Sequence, residues 1–135
     1  MEFMKNDIAI KTDVFKHIKG SELESTCTGV LRKTGKRPMG SKKEDIIISM
    51  LANMNGQIQT ATVNVNIYVA ANIVNGQAEE QTTRLDVLCE LASSLFEVFR
   101  GDGFRAHLLE QRVIEIDGAD EYVINNKIEY KQVNE

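Results

Sequence analysis

Two histidines, two cysteines and a scatter of carboxylates are the side chains here that could do chemistry, and their spacing assembles no familiar catalytic site. A metal centre needs His, Cys or carboxylate ligands that converge from short, regular spacings. His107 stands in Arg105-Ala106-His107-Leu108-Leu109 with no Cys, Asp or second His at ligand spacing. His17 sits beside Lys16 and Lys19, on the expected solvent side of a short helix. A nucleophilic Cys–His pair would require tertiary folding to bring Cys27 or Cys89 onto a histidine. Cys89 falls among the apolar positions of a helical pattern, where it reads as a small buried hydrophobe. Gly101-Asp102-Gly103 ends a helical pattern instead of opening one, so it is not a phosphate loop. Asp117, Asp120 and Glu121 cluster at a turn, a position suited to a solvated tip or an occasional cation contact. These readings yield no catalytic residue, no cofactor-binding residue and no metal ligand, and the expectation is a protein that is not an enzyme.

One constellation has partner potential. Arg32, Lys33, Lys36, Arg37, Lys42 and Lys43 place six cations within twelve positions with no Asp or Glu among them. Unpaired like charges repel, and with Gly35, Pro38 and Gly40 they predict an extended, flexible loop over residues 32–43. Such cations can simply stay solvated, can meet an acidic protein surface, or can neutralise phosphates, each adding salt-dependent affinity. No aromatic residue lies between Arg32 and Lys43 to stack on bases, so any contact with DNA is expected to be non-specific. The formal charge of −4 hides an asymmetry: residues 1–43 hold ten Lys/Arg against five Asp/Glu, and residues 44–135 hold six against fifteen. Oppositely charged ends suit docking on copies of itself or on a polar partner, and unequal solvated faces would look the same.

The elements that must position these residues follow from periodicity. Thr12-Asp13 can cap a short N-terminal helix carrying Val14, Phe15 and Ile18 and stopping at Gly20. Ile8 and Ile10 before it fit either a brief strand or an upstream extension of that helix. Cys27-Thr28-Gly29-Val30-Leu31 fits a short edge strand. Glu44–Leu51 is a β-branched run typical of a strand covered on both faces. Asn53–Gly56 has turn chemistry, with Asn55-Gly56 suited to positive φ. Thr60–Val69 alternates cleanly, Val63, Val65, Ile67 and Val69 to one side and Thr62, Asn64, Asn66 and Tyr68 to the other, so the two runs predict an antiparallel hairpin. Asn72–Gln81 is polar and carries Asn75-Gly76. Leu85, Leu88, Ala92, Leu95 and Phe99 then recur at helical spacing, widened by Cys89, Leu91 and Phe96, in a helix ending at Arg100–Gly103. Val113–Ile116, the turn at Asp117–Asp120, and a strand with Tyr122, Ile124, Ile128 and Tyr130 on one face predict a closing hairpin.

The expected architecture is therefore α+β: a mostly antiparallel sheet of about four strands, one long helix packed on one face, and a short N-terminal helix, all in a single domain spanning residues 1–135. No apolar run approaches the roughly 20 residues that span a bilayer, and the N-terminus has no signal-peptide h-region, so a cytoplasmic location without membrane contact is expected.

This layout resembles the tail-completion proteins of long-tailed bacteriophages and prophages, also called tail terminators or head-to-tail joining proteins. The residues that carry the resemblance are Asp13-Val14-Phe15, Arg37-Pro38 ahead of Glu44–Ile48, the strand Val63–Val69, the helix Arg84–Phe99 and the closing Ile128-Glu129-Tyr130. The resemblance implies a non-enzymatic ring of identical subunits, commonly a hexamer, meeting tail-tube and head-connector proteins. It also implies a place in the virion after assembly in the cytoplasm, and gives the basic loop an anionic protein surface or passing DNA to meet. A small binding module or assembly chaperone, and an enzyme whose site forms between subunits, are the alternatives from other classes.

Overall fold

The alternation of residues 60–70 does what its period requires. In the computed structural model, which describes residues 5–54 and 60–133, β3 (Thr60–Ala70) buries every second side chain and lies near the middle of a six-stranded sheet. The sheet order is β1 (Leu31–Arg32), β2 (Ile46–Met54), β3, β8 (Glu121–Gln132), β7 (Phe104–Ile116) and β6 (Val98–Gly101). Every neighbouring pair is antiparallel except β1 with β2, which is parallel. Three helices, α1 (Asp7–Ile18), α2 (Glu22–Thr26) and α3 (Thr82–Phe96), complete the α+β fold. A separate two-stranded hairpin, β4 (Asn72–Val74) with β5 (Gln77–Glu79), turns at Asn75 and Gly76, whose φ angles of 53° and 77° are those of the tight turn Asn-Gly favours. The expected turn at Asn55-Gly56 lies outside the described residues.

The expectation of four strands under one long helix is corrected on each count. The sheet has six strands and is mixed in direction, and α3 is 15 residues long, close to the 12 of α1. Six strands at about 4.8 Å spacing make a face roughly 24 Å wide, more than one helix about 10 Å across can cover. Two helices share it: α1 packs over β2, and α3 over β7 and β8 with α2 at its side. The reading of Phe99 as the last turn of the long helix fails because α3 ends at Phe96. Phe99 belongs to β6, paired with Ala106, and the Gly101–Gly103 segment is the tip of the β6–β7 hairpin instead of a helix cap. Phe99 is buried in either arrangement, so its helical spacing from Leu95 carried no information about which one forms.

The N-terminal helix begins upstream of the expected cap. Asn6 caps it, its side-chain oxygen accepting from the Ala9 amide at 2.8 Å, and Thr12 bonds back to the Ile8 carbonyl within the helix. Asp13 is thereby freed for tertiary work. Its carboxylate accepts from Tyr130 Oη at 2.6 Å and from Lys5 Nζ at 2.8 Å, tying α1 to the sheet. Burial and that carboxylate together push the Tyr130 phenol well above its usual range. His17 is not solvent-facing: its ring stacks on Phe99 at 4.0 Å and Nε2 lies 2.7 Å from the Leu95 carbonyl. Cys89 is only half-buried at the rim of the core, whereas Cys27 is buried.

One polar side chain lies in the middle of the core. Asn126 donates to the Val65 carbonyl at 3.1 Å and accepts from Gln111 Nε2 at 2.8 Å, and Gln111 also donates to the Cys89 carbonyl. This chain of amides fixes β3, β8 and β7 to α3 in one register, and its satisfied partners make a buried amide tolerable.

Candidate functional site

The basic segment begins at an edge of the sheet and folds across the sheet's outer face, the one that no helix covers. Arg32 ends β1 and is exposed. Lys33 turns the other way, toward α1, donating to Thr12 Oγ1 at 2.8 Å and lying 5.5 Å from the Phe15 ring centroid. Gly35, with φ +80°, passes over Ser49 of β2, where an added Cβ would already touch the serine.

Arg37 is the residue on which the segment is fastened. Its Nε donates to Asp45 Oδ2 at 2.9 Å, Nη1 to Glu121 Oε1 at 3.0 Å and Nη2 to the Lys43 carbonyl at 2.9 Å, while the guanidinium lies 4.1 Å from the Tyr68 ring centroid. The cluster is buried: side-chain exposure is 17% for Arg37, 1% for Asp45 and 5% for Glu121. Burial alone would lower the Arg37 pKa, but the hydrogen bonds to Glu121 and Asp45 outweigh it and hold the pKa above the usual value. Burial likewise works to raise the Asp45 pKa, and the bonds from Ser41 Oγ, the Val30 amide and Arg37 reverse that and hold the carboxyl low.

Lys42 reaches the Ala119 carbonyl at 3.3 Å and Glu121 at 3.7 Å, Lys43 is exposed, and Lys36 is exposed with no ion-pair partner among the described residues. The expectation of six unpaired charges thus fails for Arg37 and Lys42, because the acids that answer them come from positions 45 and 121, outside the segment, while Arg32, Lys33, Lys36 and Lys43 have no acidic partner among the described residues. Glu121, expected at a solvated turn tip, instead opens β8 and is buried.

The neighbouring carboxylate faces the other way. Glu44 accepts from Arg84 of α3 at 2.7 Å through Nε, and Arg84 also donates to the Thr26 carbonyl at the end of α2. Glu44 and Asp45 therefore clip the chain between helix layer and outer face. Gly29 is required beside them, since a Cβ there would overlap the Asp45 carboxylate and the Glu44 backbone. The Cys27 thiol sits next to this cluster, its pKa pushed up to about 12 by burial first and by Glu44 second, so it stays protonated and unreactive at neutral pH.

The sheet edges are the second feature of the molecule suited to a partner. On one side β6 pairs with β7 no further than His107, so residues 108–116 of β7 have no strand beyond them among the described residues. On the other side β1 pairs only with Ile46 and Ile47, which leaves residues 48–54 of β2 open in the same sense. Each open edge carries a bulge, between Leu108 and Glu110 in β7 and between Met50 and Ala52 in β2. The extra residue is a leucine in both cases, Leu109 at 49% exposure and Leu51 at 56%. Edge bulges commonly discourage pairing, but a leucine on the bulge exposes apolar surface that a contact would cover. The β4–β5 hairpin adds exposed Ile73 and Val74.

A shallow cleft lined by Ser93, Ser94, Glu97 and Leu108 brings one carboxylate and two hydroxyls together, with no histidine or cysteine among them. His17 and His107 lie on different elements and meet no cysteine. Among the described residues no three His, Cys, Asp or Glu side chains cluster as a metal site, and no helix is long and apolar enough to cross a membrane.

No protein-family model and no curated protein sequence matches the chain. Among solved structures it is similar to a chain of the virion of a native gene transfer agent particle, with a TM-score of 0.57 at 9% identity, over 93% of this chain and 95% of that one. At that identity the likeness is one of fold.

Proposed function

We propose that this chain is a structural, non-enzymatic component of a phage-like particle, and specifically a tail-completion protein that closes into a ring at the end of the tail tube and joins tail to head. The observation that carries the reading is the pair of open sheet edges, each with an exposed leucine on a bulge. The two edges are unlike, so a contact between them is head-to-tail, and such contacts close into a ring when the rotation per subunit divides a full turn. The near full-length likeness of fold to a virion chain supports the coarser part of the reading, and the sequence resemblance supports a ring of six. The ring leaves the outer face and the exposed cations Arg32, Lys36, Lys42 and Lys43 for tube, connector or nucleic acid, while Arg37 holds the segment in place. Ile73 and Val74 suit a contact with the next subunit.

Mass spectrometry of particles purified from a producing culture tests the assignment. A tail-completion protein remains in washed particles at a few copies each; recovery only in the particle-free lysate would instead indicate a transient chaperone.

A further inference from the structure

The pairing registers sort the charges of this acidic chain by face. Residues directly opposite in a ladder share a face, and the buried side chains of β3 and β8 define the helix side. The register therefore puts Arg100, Arg105, Arg112, Lys127 and Lys131 on the outer face, which is five of the six Lys/Arg that follow residue 43. The ion pairs agree with that placement: Glu110 lies 3.7 Å from Arg112 and 3.9 Å from Lys127, and Glu129 lies 3.2 Å from Lys131. Asp45 and Glu121 lie on this face as well, both taken up by Arg37. Of the exposed cations of the basic segment, Arg32, opposite Ile47, and Lys42, 3.7 Å from Glu121, lie on the same side. With a net charge of −4 for the whole chain, the remaining surface is strongly acidic, as Asp86, Glu90 and Glu97 on exposed positions of α3 and its C-cap illustrate.

One row is unusual. Arg100 of β6 is directly opposite Arg105 of β7, and Arg105 is directly opposite Lys131 of β8. Like charges facing one another across strands destabilise a sheet, and neither Arg100 nor Arg105 has an acidic partner among the described residues. Uncharged hydrogen-bonding side chains, Thr60, Thr62, Asn64, Asn66 and Asn125, fill the positions between the cations on β3 and β8.

We propose that the outer face of the sheet binds the phosphate backbone of double-stranded nucleic acid without reading its sequence. A surface of cations interspersed with amides and hydroxyls is the composition that contacts phosphate and sugar. A protein partner would call for an apolar centre to the patch, and the large apolar residues exposed here, Val98 on β6, Ile114 on β7 and Met39 in the basic segment, stand on separate elements. Single strands are disfavoured because their binding relies on aromatic platforms, and the Tyr68 ring on this face is covered by Arg37. The inference rests on one subunit's own face and does not require the ring.

Fluorescence anisotropy of the full chain with a labelled duplex of about 30 base pairs, titrated from about 25 mM salt upward, tests it through the slope of log affinity against log salt. The expected result is sequence-independent binding whose slope falls in magnitude by about two in the Arg100→Ser/Arg105→Ser variant, about one unit for each phosphate no longer neutralised. Lys127→Ser/Arg112→Ser is expected to act in the same direction, while Lys11→Ser/Lys16→Ser, on the helix side, is expected to leave the slope unchanged. Circular dichroism melts establish that each variant is folded. No binding at the lowest salt, an unchanged slope in both outer-face variants, or an equal loss in the helix-side variant would overturn the proposal. Binding of polyglutamate in place of the duplex would overturn it in favour of an acidic protein partner.

Discussion

Replacing Arg37 by alanine should be the most damaging single change in the basic segment. It removes the guanidinium shared by two carboxylates that are 1% and 5% exposed, and leaves both acids in place. Asp45 keeps the Ser41 hydroxyl at 2.6 Å and the Val30 amide at 2.9 Å, but Glu121 keeps only Lys42, 3.7 Å away. Removing one partner of a buried ion pair costs about 3–5 kcal/mol, chiefly because the buried charge left behind is no longer compensated. Unfolding entropy of about 2.1 cal/mol/K per residue makes 1 kcal/mol worth about 3.5 °C in a chain of this length, so Tm is expected to fall by roughly 10–18 °C. Circular dichroism melts at neutral pH measure this, with urea unfolding to show that the shift lies in the midpoint and not in the slope. Lys36→Ser, an exposed neighbour, should stay within about 0.5 kcal/mol of the parent. Adding Glu121→Gln to Arg37→Ala should recover part of the loss, since it neutralises the stranded charge. An Arg37→Ala protein melting within 2–3 °C of the parent (roughly 1 kcal/mol) would refute the network as a stabilising element.

Truncating Leu88, fully buried on α3, to alanine should cost about 2–5 kcal/mol in urea unfolding, whereas Val87→Ala on the exposed side of the same helix should cost little. Stability should be greatest between about pH 4 and pH 8.5, the unperturbed carboxyl and thiol values. Asp45 is held low in the fold, so its contribution is complete above the unfolded carboxyl pKa and is lost as pH falls through the folded one. Cys27 is raised to about 12, so its contribution is complete below the unfolded thiol pKa and is lost as pH climbs toward that value. Cys27→Ala should flatten the alkaline limb, and a limb unchanged by that substitution would assign it elsewhere.

Period-two alternation made β3 and β8 legible, because one face of each strand is buried along its whole length. The helix boundary at Phe96 was not legible: Phe99 satisfies the helical stripe and the inward face of β6 equally well, and only pairing with Ala106 decides between them. Asp13 looked like a cap because caps and buried acceptors draw on the same residue types, and its partner Tyr130 is 117 positions away. Arg37 with Glu121, 84 positions apart, escaped for the same reason. The grouping of Arg100, Arg105 and Lys131 also needed the strand register, since no two of these three share an element.

The ring is tested most directly by light scattering coupled to size exclusion over a wide range of concentrations, with negative-stain images of the peak, for the parent chain and for Leu109→Asp. The parent is expected to populate a closed ring whose mass is a fixed multiple of 15.2 kDa. Leu109→Asp, altered at an exposed edge position, is expected to remain monomeric with an unchanged melting temperature. A parent chain that stays monomeric at every concentration, with and without tail tubes, or a Leu109→Asp variant that assembles as well as the parent, would contradict assembly through the open sheet edges.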